Sequence, residues 1–424
     1  MIEGHVNLRI IIPTRNRVQL AINAINSVMP DLSPNVRVMV SDNSIDTAQV
    51  KTLCEFCEKL GDANIIYRRP DQPLNLGEHW EWALQQALMD AEVTHVLFLT
   101  DRMVFKKNEL MKIIAILKKY PEDVISYNHD AVFDDSNPIR LVRSSWTGTL
   151  FQINSAELLR LSAQMIFHHS LPRMLNCAVP RHIFDSIQDQ YGCIFDSIAP
   201  DFVFAYRCLD CCDKVLFFDN AALLHYSIGL STGNNQSKGI VLVEGYKTQE
   251  ERDQFIQKMH AMAPIPEICT LTNAIVQAYQ LVKYQSKNPN FNEINMALYL
   301  QVLEGESAGV TDPQMRDEIQ ELLLRKKQTS GRIRKQREKK IIRMLFSVKS
   351  WRVKFWWVLT APRFQWIWDI LKNRTGLEPP GVRELITEFA SREEAINYAH
   401  HYPRKRNKGV SYLETLVRYN KLPY

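Results

Sequence analysis

Thr14, Asn16 and Arg17 follow an apolar run, Leu8–Pro13, and Asp42 and Asn43 follow a second, Val36–Ser41. A third polar set, Thr100, Asp101 and Arg102, follows Thr94–Leu99. Hydroxyl, amide, carboxylate and guanidinium groups collected at the carboxyl ends of short apolar strands suit a nucleotide-type ligand. An ionised aspartate can only accept, so it suits an N–H donor on a ligand. A guanidinium pairs with phosphate oxygens in two parallel hydrogen bonds. In an open α/β sheet this edge is where ligands bind. Two residues stand further along. Asp201 follows Pro200 at the head of an apolar segment, and His225 precedes the Gly/Ser/Asn loop 229–237.

These groups need a scaffold. The strand candidates Leu8–Pro13, Val36–Ser41, Asn64–Arg68 and Thr94–Leu99 start 28, 28 and 30 residues apart. Helical patterns over Val18–Met29, Ala48–Leu60 and Glu78–Met89 fill the gaps. Short apolar strands alternating with helices imply a mostly parallel sheet joined by right-handed crossovers. Asn108–Lys119 reads as a further helix and Val124–Tyr127 as a short strand. Residues 130–200 are less regular, with helices over Ser155–Ala163 and Arg181–Gln190. Val215–Phe218 and Leu223–His225 read as strands, and the Gly229–Ser237 loop closes a first domain, residues 1–245. Beyond it the apolar spacing is helical over Glu250–Met262, Thr270–Ser286, Glu293–Glu304 and Pro313–Lys326, so 246–424 is expected to be an all-helical region.

Composition bounds the class. The 424 residues are 46% hydrophobic and 23% charged, as in an ordinary globular chain. No apolar run reaches the roughly 20 residues that cross a bilayer, and no signal peptide is expected from the opening residues. The net charge of +5 is uneven. Residues 325–354 hold 13 Lys/Arg against a single acid, Glu338, a net of +12, which leaves −7 for the remainder. Cys54/Cys57 and Cys208/Cys211 have C-x-x-C spacing but no knuckle residues around them. Buried reduced thiols are expected over zinc, and reduced thiols fit a cytoplasmic compartment.

Several landmarks recur in order: Ile11-Ile12-Pro13-Thr14-Arg15-Asn16-Arg17, Ser41-Asp42-Asn43-Ser44, Asn75-Leu76-Gly77, Leu97-Phe98-Leu99-Thr100-Asp101-Arg102, Pro200-Asp201 and His225. Over residues ~6–240 the chain resembles a family 2 glycosyltransferase of the GT-A, Rossmann-like fold. The resemblance implies an inverting enzyme, hexosyltransferase-like (EC 2.4), that moves a sugar from a nucleotide-diphosphate-sugar to an acceptor hydroxyl. UDP is the implied nucleotide, and polysaccharide or glycolipid assembly the implied setting. Pro13, Thr14, Asn16, Arg17, Asp42, Asn43, Asn75, Gly77, Thr100, Asp101 and Arg102 are the implied donor-binding residues. Read without the family, Thr14 or Asn16 is equally an N-cap, and Gly77 admits either a close diphosphate or positive φ. Asp46 and Thr47 are read as helix caps.

The family usually carries Asp-x-Asp where this chain has Asp101-Arg102-Met103. Two readings follow. Asp101 with His225 keeps a Mg²⁺ or Mn²⁺ site, or Arg102 neutralises the diphosphate and the enzyme needs no metal. Arg102 paired with Asp101 as a plain salt bridge is the third. Asp201 is the implied catalytic base, with Asp196 its competitor and helix capping its ordinary alternative. His168 and His169 are read as acceptor-side or structural, since adjacent residues do not share a helix face.

Trp351, Trp356, Trp357, Trp366 and Trp368 sit among Lys and Arg in the basic, Trp-rich segment 325–372. This composition suits either an anionic membrane surface or a helical core. The partners expected are therefore a nucleotide-sugar donor, a saccharide or lipid-linked acceptor and the inner face of a membrane. No nucleic acid is expected, for want of any RNA-binding signature. Oligomeric state is left open. Two other functions compete. One is a non-catalytic nucleotide-sugar-binding scaffold with a degenerate metal motif. The other is a nucleotidyltransferase, disfavoured because Pro13–Arg17 holds no glycine.

Overall fold

The protein is described by a computed structural model that covers residues 5–143, 146–196, 199–227, 261–266, 268, 270–310, 313–329, 385–401 and 412–424. The four opening strands form where the apolar runs place them: β1 (Leu8–Thr14), β2 (Val36–Asp42), β3 (Ile65–Arg68) and β4 (His95–Phe98). They are parallel, with Leu8 opposite Val36 on one side and His95 on the other. Every residue of β1 is buried, which is why its sequence is nearly continuous in apolar residues rather than alternating.

The crossovers are α1 (Val18–Val28), α2 (Thr47–Leu60) and α3 (Leu76–Leu88). Asp46 caps α2 by accepting from the N–H groups of Ala48 and Gln49, and Gly61 ends it in the left-handed region. Asn75 and Glu78 cap α3 reciprocally. These local devices set the helix starts, and so the direction in which each strand end opens.

The chain continues through β5 (Met103–Phe105), α4 (Glu109–Lys119), β6 (Val124–Phe133), β7 (Ile139–Arg143), β8 (Leu150–Asn154), α5 (Ser155–Ala163), β9 (Cys177–Pro180), α6 (Arg181–Tyr191), α7 (Pro200–Cys211) and β10 (Lys214–His225). Helices α8 (Leu271–Gln285), α9 (Met296–Ser307) and α10 (Pro313–Thr329) follow, then β11 (Leu385–Phe389), α11 (Arg392–His401) and β12 (Tyr419–Leu422). One sheet runs in the order β12-β8-β10-β6-β9-β4-β1-β2-β3. Along it only β8 and β9 run against the others. The fold class is thus the expected one, a GT-A-like sheet of mostly parallel strands flanked by helices.

Two elements differ from the sequence reading. The short strand at Val124 extends to Phe133, and the two strands around 215–225 are one. Asp219 and Asn220 interrupt the apolar pattern and look like a turn. In the fold the Asp219 carboxylate accepts from the backbone and hydroxyl of Thr147, and the Asn220 amide donates to Glu109. With both polar groups satisfied, β10 passes through register shifts between Phe218 and Leu223 and continues to the site.

The described carboxyl-terminal residues form helices α8 to α10 and then add strands to the same sheet. β11 lies antiparallel on β7, with Leu385 opposite Arg143, and β12 on β8, with Tyr419 opposite Ile153. Open strand edges offer unpaired N–H and C=O groups, which these segments satisfy. The all-helical expectation for 246–424 is corrected accordingly, and residue 245 does not divide the sheet. Helix α8 packs on α7, with the rings of Tyr206 and Tyr279 edge to face at 5.1 Å between centroids. Phe195, Phe204, Ile275 and Leu303 share that core. The Gly229–Ser237 loop, nearly all of Glu250–Met262 and the five tryptophans of 351–368 lie outside the described residues. Among the described residues no helix is long and apolar enough to cross a membrane.

Candidate functional site

Thr14 and Asp42 end paired strands in matching register, and Asp101 follows β4 beside them. The Thr14 hydroxyl donates to Asp101 Oδ2 at 2.8 Å, and Arg17 Nε approaches the same oxygen at 3.0 Å. Asp101 is fully buried at 1% exposure, while the Arg17 side chain is 31% exposed. Burial raises the pKa of Asp101 and the two arginines nearby oppose that shift. Of the three sequence readings, the plain Asp101–Arg102 salt bridge does not hold: the ion pair of Asp101 is with Arg17.

Asn16 is not a helix cap. It sits at φ +53°, a region that asparagine tolerates better than most residues. Its Oδ1 accepts from the N–H groups of Ile45 and Asp46, each at 3.0 Å, and so ties the first strand end to the second. Asn43 works similarly on the third loop: its amide donates to Leu74 O at 2.8 Å and accepts from Leu74 N at 2.9 Å. Asp42 is buried, with Oδ1 accepting from Ser44 N at 2.9 Å and Oδ2 from the Tyr67 hydroxyl at 2.7 Å. A carboxylate has about four lone-pair positions, so these two bonds leave acceptor capacity. Gly77 lies buried in the first turn of α3 and is not among the positive-φ glycines, so the positive-φ reading does not hold for it. Thr100 is buried, and its hydroxyl has no partner among the described residues.

One buried titratable group lies behind this edge. His79 of α3 shares a 2.8 Å hydrogen bond with the Ser41 hydroxyl, and burial lowers its pKa to about 4. A histidine whose folded pKa is depressed contributes stability above its unfolded value near 6.5, and loses it as the pH falls toward 4. On the order of 3 kcal/mol is at stake. The urea midpoint is expected to fall between pH 6.5 and 4, and His79→Gln to flatten that limb. An unchanged acid limb in the variant would exclude His79 as its source.

The opposite wall comes from β4, β6, β10 and α7. Tyr226 N donates to Arg102 O at 3.0 Å, which fixes the end of β10 beside Arg102. Arg102 Nη1 then meets His225 Nε2 at 3.0 Å. A guanidinium has no acceptor, so Nε2 must accept and His225 is neutral with its proton on Nδ1. Burial first, then Arg102 and Arg173, push its pKa down to about 3. The His225 ring lies 5.8 Å from His129, which meets His169 edge-on at 4.8 Å. His168 instead bonds Ser170 at 2.9 Å and packs its ring on Phe217, a structural position.

Asp201 lies at the second position of α7, after Pro200 and behind Ala199 at φ +42°. It is not the helix cap. It is half-buried, and burial raises its pKa against the opposing pull of Arg173 and then Arg102. Asp196 is half-buried in the preceding segment. Arg173 is the residue that the sequence reading missed. Its guanidinium lies 5.4 Å from the Phe202 ring centroid, and it comes from the irregular stretch 130–200, where no strand end marks it.

A divalent cation needs several hard oxygen donors. Here one oxygen of Asp101 already meets Thr14 and Arg17, and the accepting nitrogen of His225 meets Arg102. Among the described residues no group of three or more His, Cys, Asp or Glu is placed to hold a metal ion. The donor set fits an anion better than a cation.

Residues 9–178 match the family described as Glycosyl transferase family 2. Among solved structures, S. aureus TarS 1–349 in complex with UDP-GlcNAc is 16% identical and aligns over 74% of this chain and 84% of that one, with a TM-score of 0.43. S. aureus TarS is 15% identical over 73% of this chain and 50% of that chain, with a TM-score of 0.40. No curated protein matches the chain.

Proposed function

We propose that the chain, whose residues 9–178 match glycosyl transferase family 2, is an inverting glycosyltransferase using a UDP-sugar. The acceptor is a saccharide or lipid-linked hydroxyl. The observation that carries this reading is one carboxylate, Asp201, within electrostatic reach of two guanidiniums: Arg173, which rests on the ring of the adjacent Phe202, and Arg102, which is held by His225. Asp201 takes the acceptor's proton as its oxygen attacks the anomeric carbon. Arg102 meets the charge left on the departing diphosphate. In this reading Arg102 does the neutralising work of a metal, and no step passes through a cation.

Asp42 supports the nucleotide base. Its remaining acceptor capacity suits the N–H of uracil, at a strand end whose flanking loops Asn16 and Asn43 tie together. Asp42→Ala is expected to weaken UDP binding by roughly 10- to 100-fold, the loss of a charged hydrogen bond of about 1.5–3 kcal/mol. Calorimetry with UDP checks this, and equal affinity in the variant removes Asp42 from the site. Turnover of UDP-, GDP- and dTDP-sugars with and without Mn²⁺ tests the whole reading. Nucleotide binding without any turnover would favour a non-catalytic nucleotide-sugar-binding protein.

A further inference from the structure

We propose that Arg173 and Arg102 form a paired oxyanion site flanking Asp201, with His129 and His169 as its neutral wall, that binds a phosphoryl group of a substrate. This inference rests on the glycosyltransferase reading and extends it to a residue outside the nucleotide edge. Arg173 and Arg102 are both half-buried. Among the described residues, neither has a carboxylate within ion-pair distance, in contrast to Arg17 with Asp101, Arg9 with Asp90 and Lys106 with Asp130. Their shared electrostatic neighbour is Asp201. With Arg17 and Asp101 counted as well, three guanidiniums stand against two carboxylates and leave this region a net cation.

The surroundings favour an anion over water alone. Arg173 rests on the face of Phe202, which holds a guanidinium in place while leaving its N–H groups free to donate. The Nδ1 atoms of His129 and His169 are buried and lack a partner among the described residues. Burial and the neighbouring cations keep both imidazoles neutral. A neutral imidazole carries one N–H and can donate it to an oxyanion without adding charge. The pair therefore offers two guanidinium forks beside a row of rings that runs from His225, on Arg102, through His129 to His169, the chemistry that recognises phosphate. That phosphate comes either from the donor's diphosphate or from a phosphorylated acceptor.

The test is calorimetry on the full chain with pyrophosphate, UDP, uridine and inorganic phosphate, comparing wild type with Arg173→Gln and Arg173→Lys. Thermal melting of each variant reports whether it folds. If the site takes the donor's diphosphate, Arg173→Gln weakens UDP and pyrophosphate roughly 10- to 100-fold and leaves uridine unchanged. If it takes an acceptor phosphate, inorganic phosphate binds the UDP-loaded wild type and fails to bind UDP-loaded Arg173→Gln. In either case Arg173→Lys retains part of the affinity. A folded Arg173→Gln with unchanged affinity for pyrophosphate, UDP and phosphate overturns the proposal. Wild type that binds no UDP instead refutes the glycosyltransferase reading, while its pyrophosphate binding still decides the arginine pair.

Discussion

Asp201→Asn is expected to reduce sugar transfer by roughly 10²–10⁴-fold, the usual contribution of a positioned general base, and to leave UDP-sugar affinity within a few-fold of wild type. Asparagine fills the same volume at the second position of α7 but cannot take the acceptor's proton. The pH profile should change with it. Burial holds the Asp201 pKa above the ordinary carboxylate value, and the base works only when ionised. The wild-type rate should therefore rise with pH through that raised value, and this acid limb should vanish in the variant. Single-turnover rates and donor affinity measured side by side decide the matter. An Asp201→Asn enzyme with full activity would transfer the role of base to Asp196.

Arg102→Ala is expected to act on binding and on rate together. The diphosphate is charged before reaction, so losing a charged hydrogen bond of about 1.5–3 kcal/mol weakens the donor roughly 10- to 100-fold. More charge develops as the diphosphate leaves, so kcat should fall a further 10²-fold or so, as for loss of an oxyanion donor. Arginine suits this position because its charge survives burial. The measurement is kcat and donor Kd for both proteins, with and without Mn²⁺. Wild-type turnover that is indifferent to Mn²⁺ supports Arg102 in the metal's place. A strict Mn²⁺ requirement would instead assign a cation to Asp101 and His225 and reduce Arg102 to a bystander.

The candidate donor edge was legible because its signal is local. A buried parallel strand must be apolar throughout, and the ligand edge begins where the chain turns polar. Thr14, Asp42 and Asp101 each occupy such a boundary. The capping of α2 by Asp46 was equally readable, being settled within four residues. The partners of these residues were less legible. Asp101 could be assigned to its neighbour Arg102 by proximity in sequence, yet 84 residues separate it from Arg17, which it meets across the sheet. Asn16 looked like a cap and instead spans two loops.

The sequence by itself determined the alternation of strands and helices, the polar ends gathered at one edge of the sheet, and the presence of a carboxylate after Pro200. Each rests on periodicity or on capping chemistry, which act over one or two turns of chain. Only the tertiary structure decided that Arg173 stacks on Phe202 next to Asp201, that His225 receives a hydrogen bond from Arg102 rather than standing free, and that β11 and β12 close the edges of β7 and β8. Strand pairing and charge placement depend on which segments the sheet order brings side by side, and that order is set by long-range burial rather than by any local pattern.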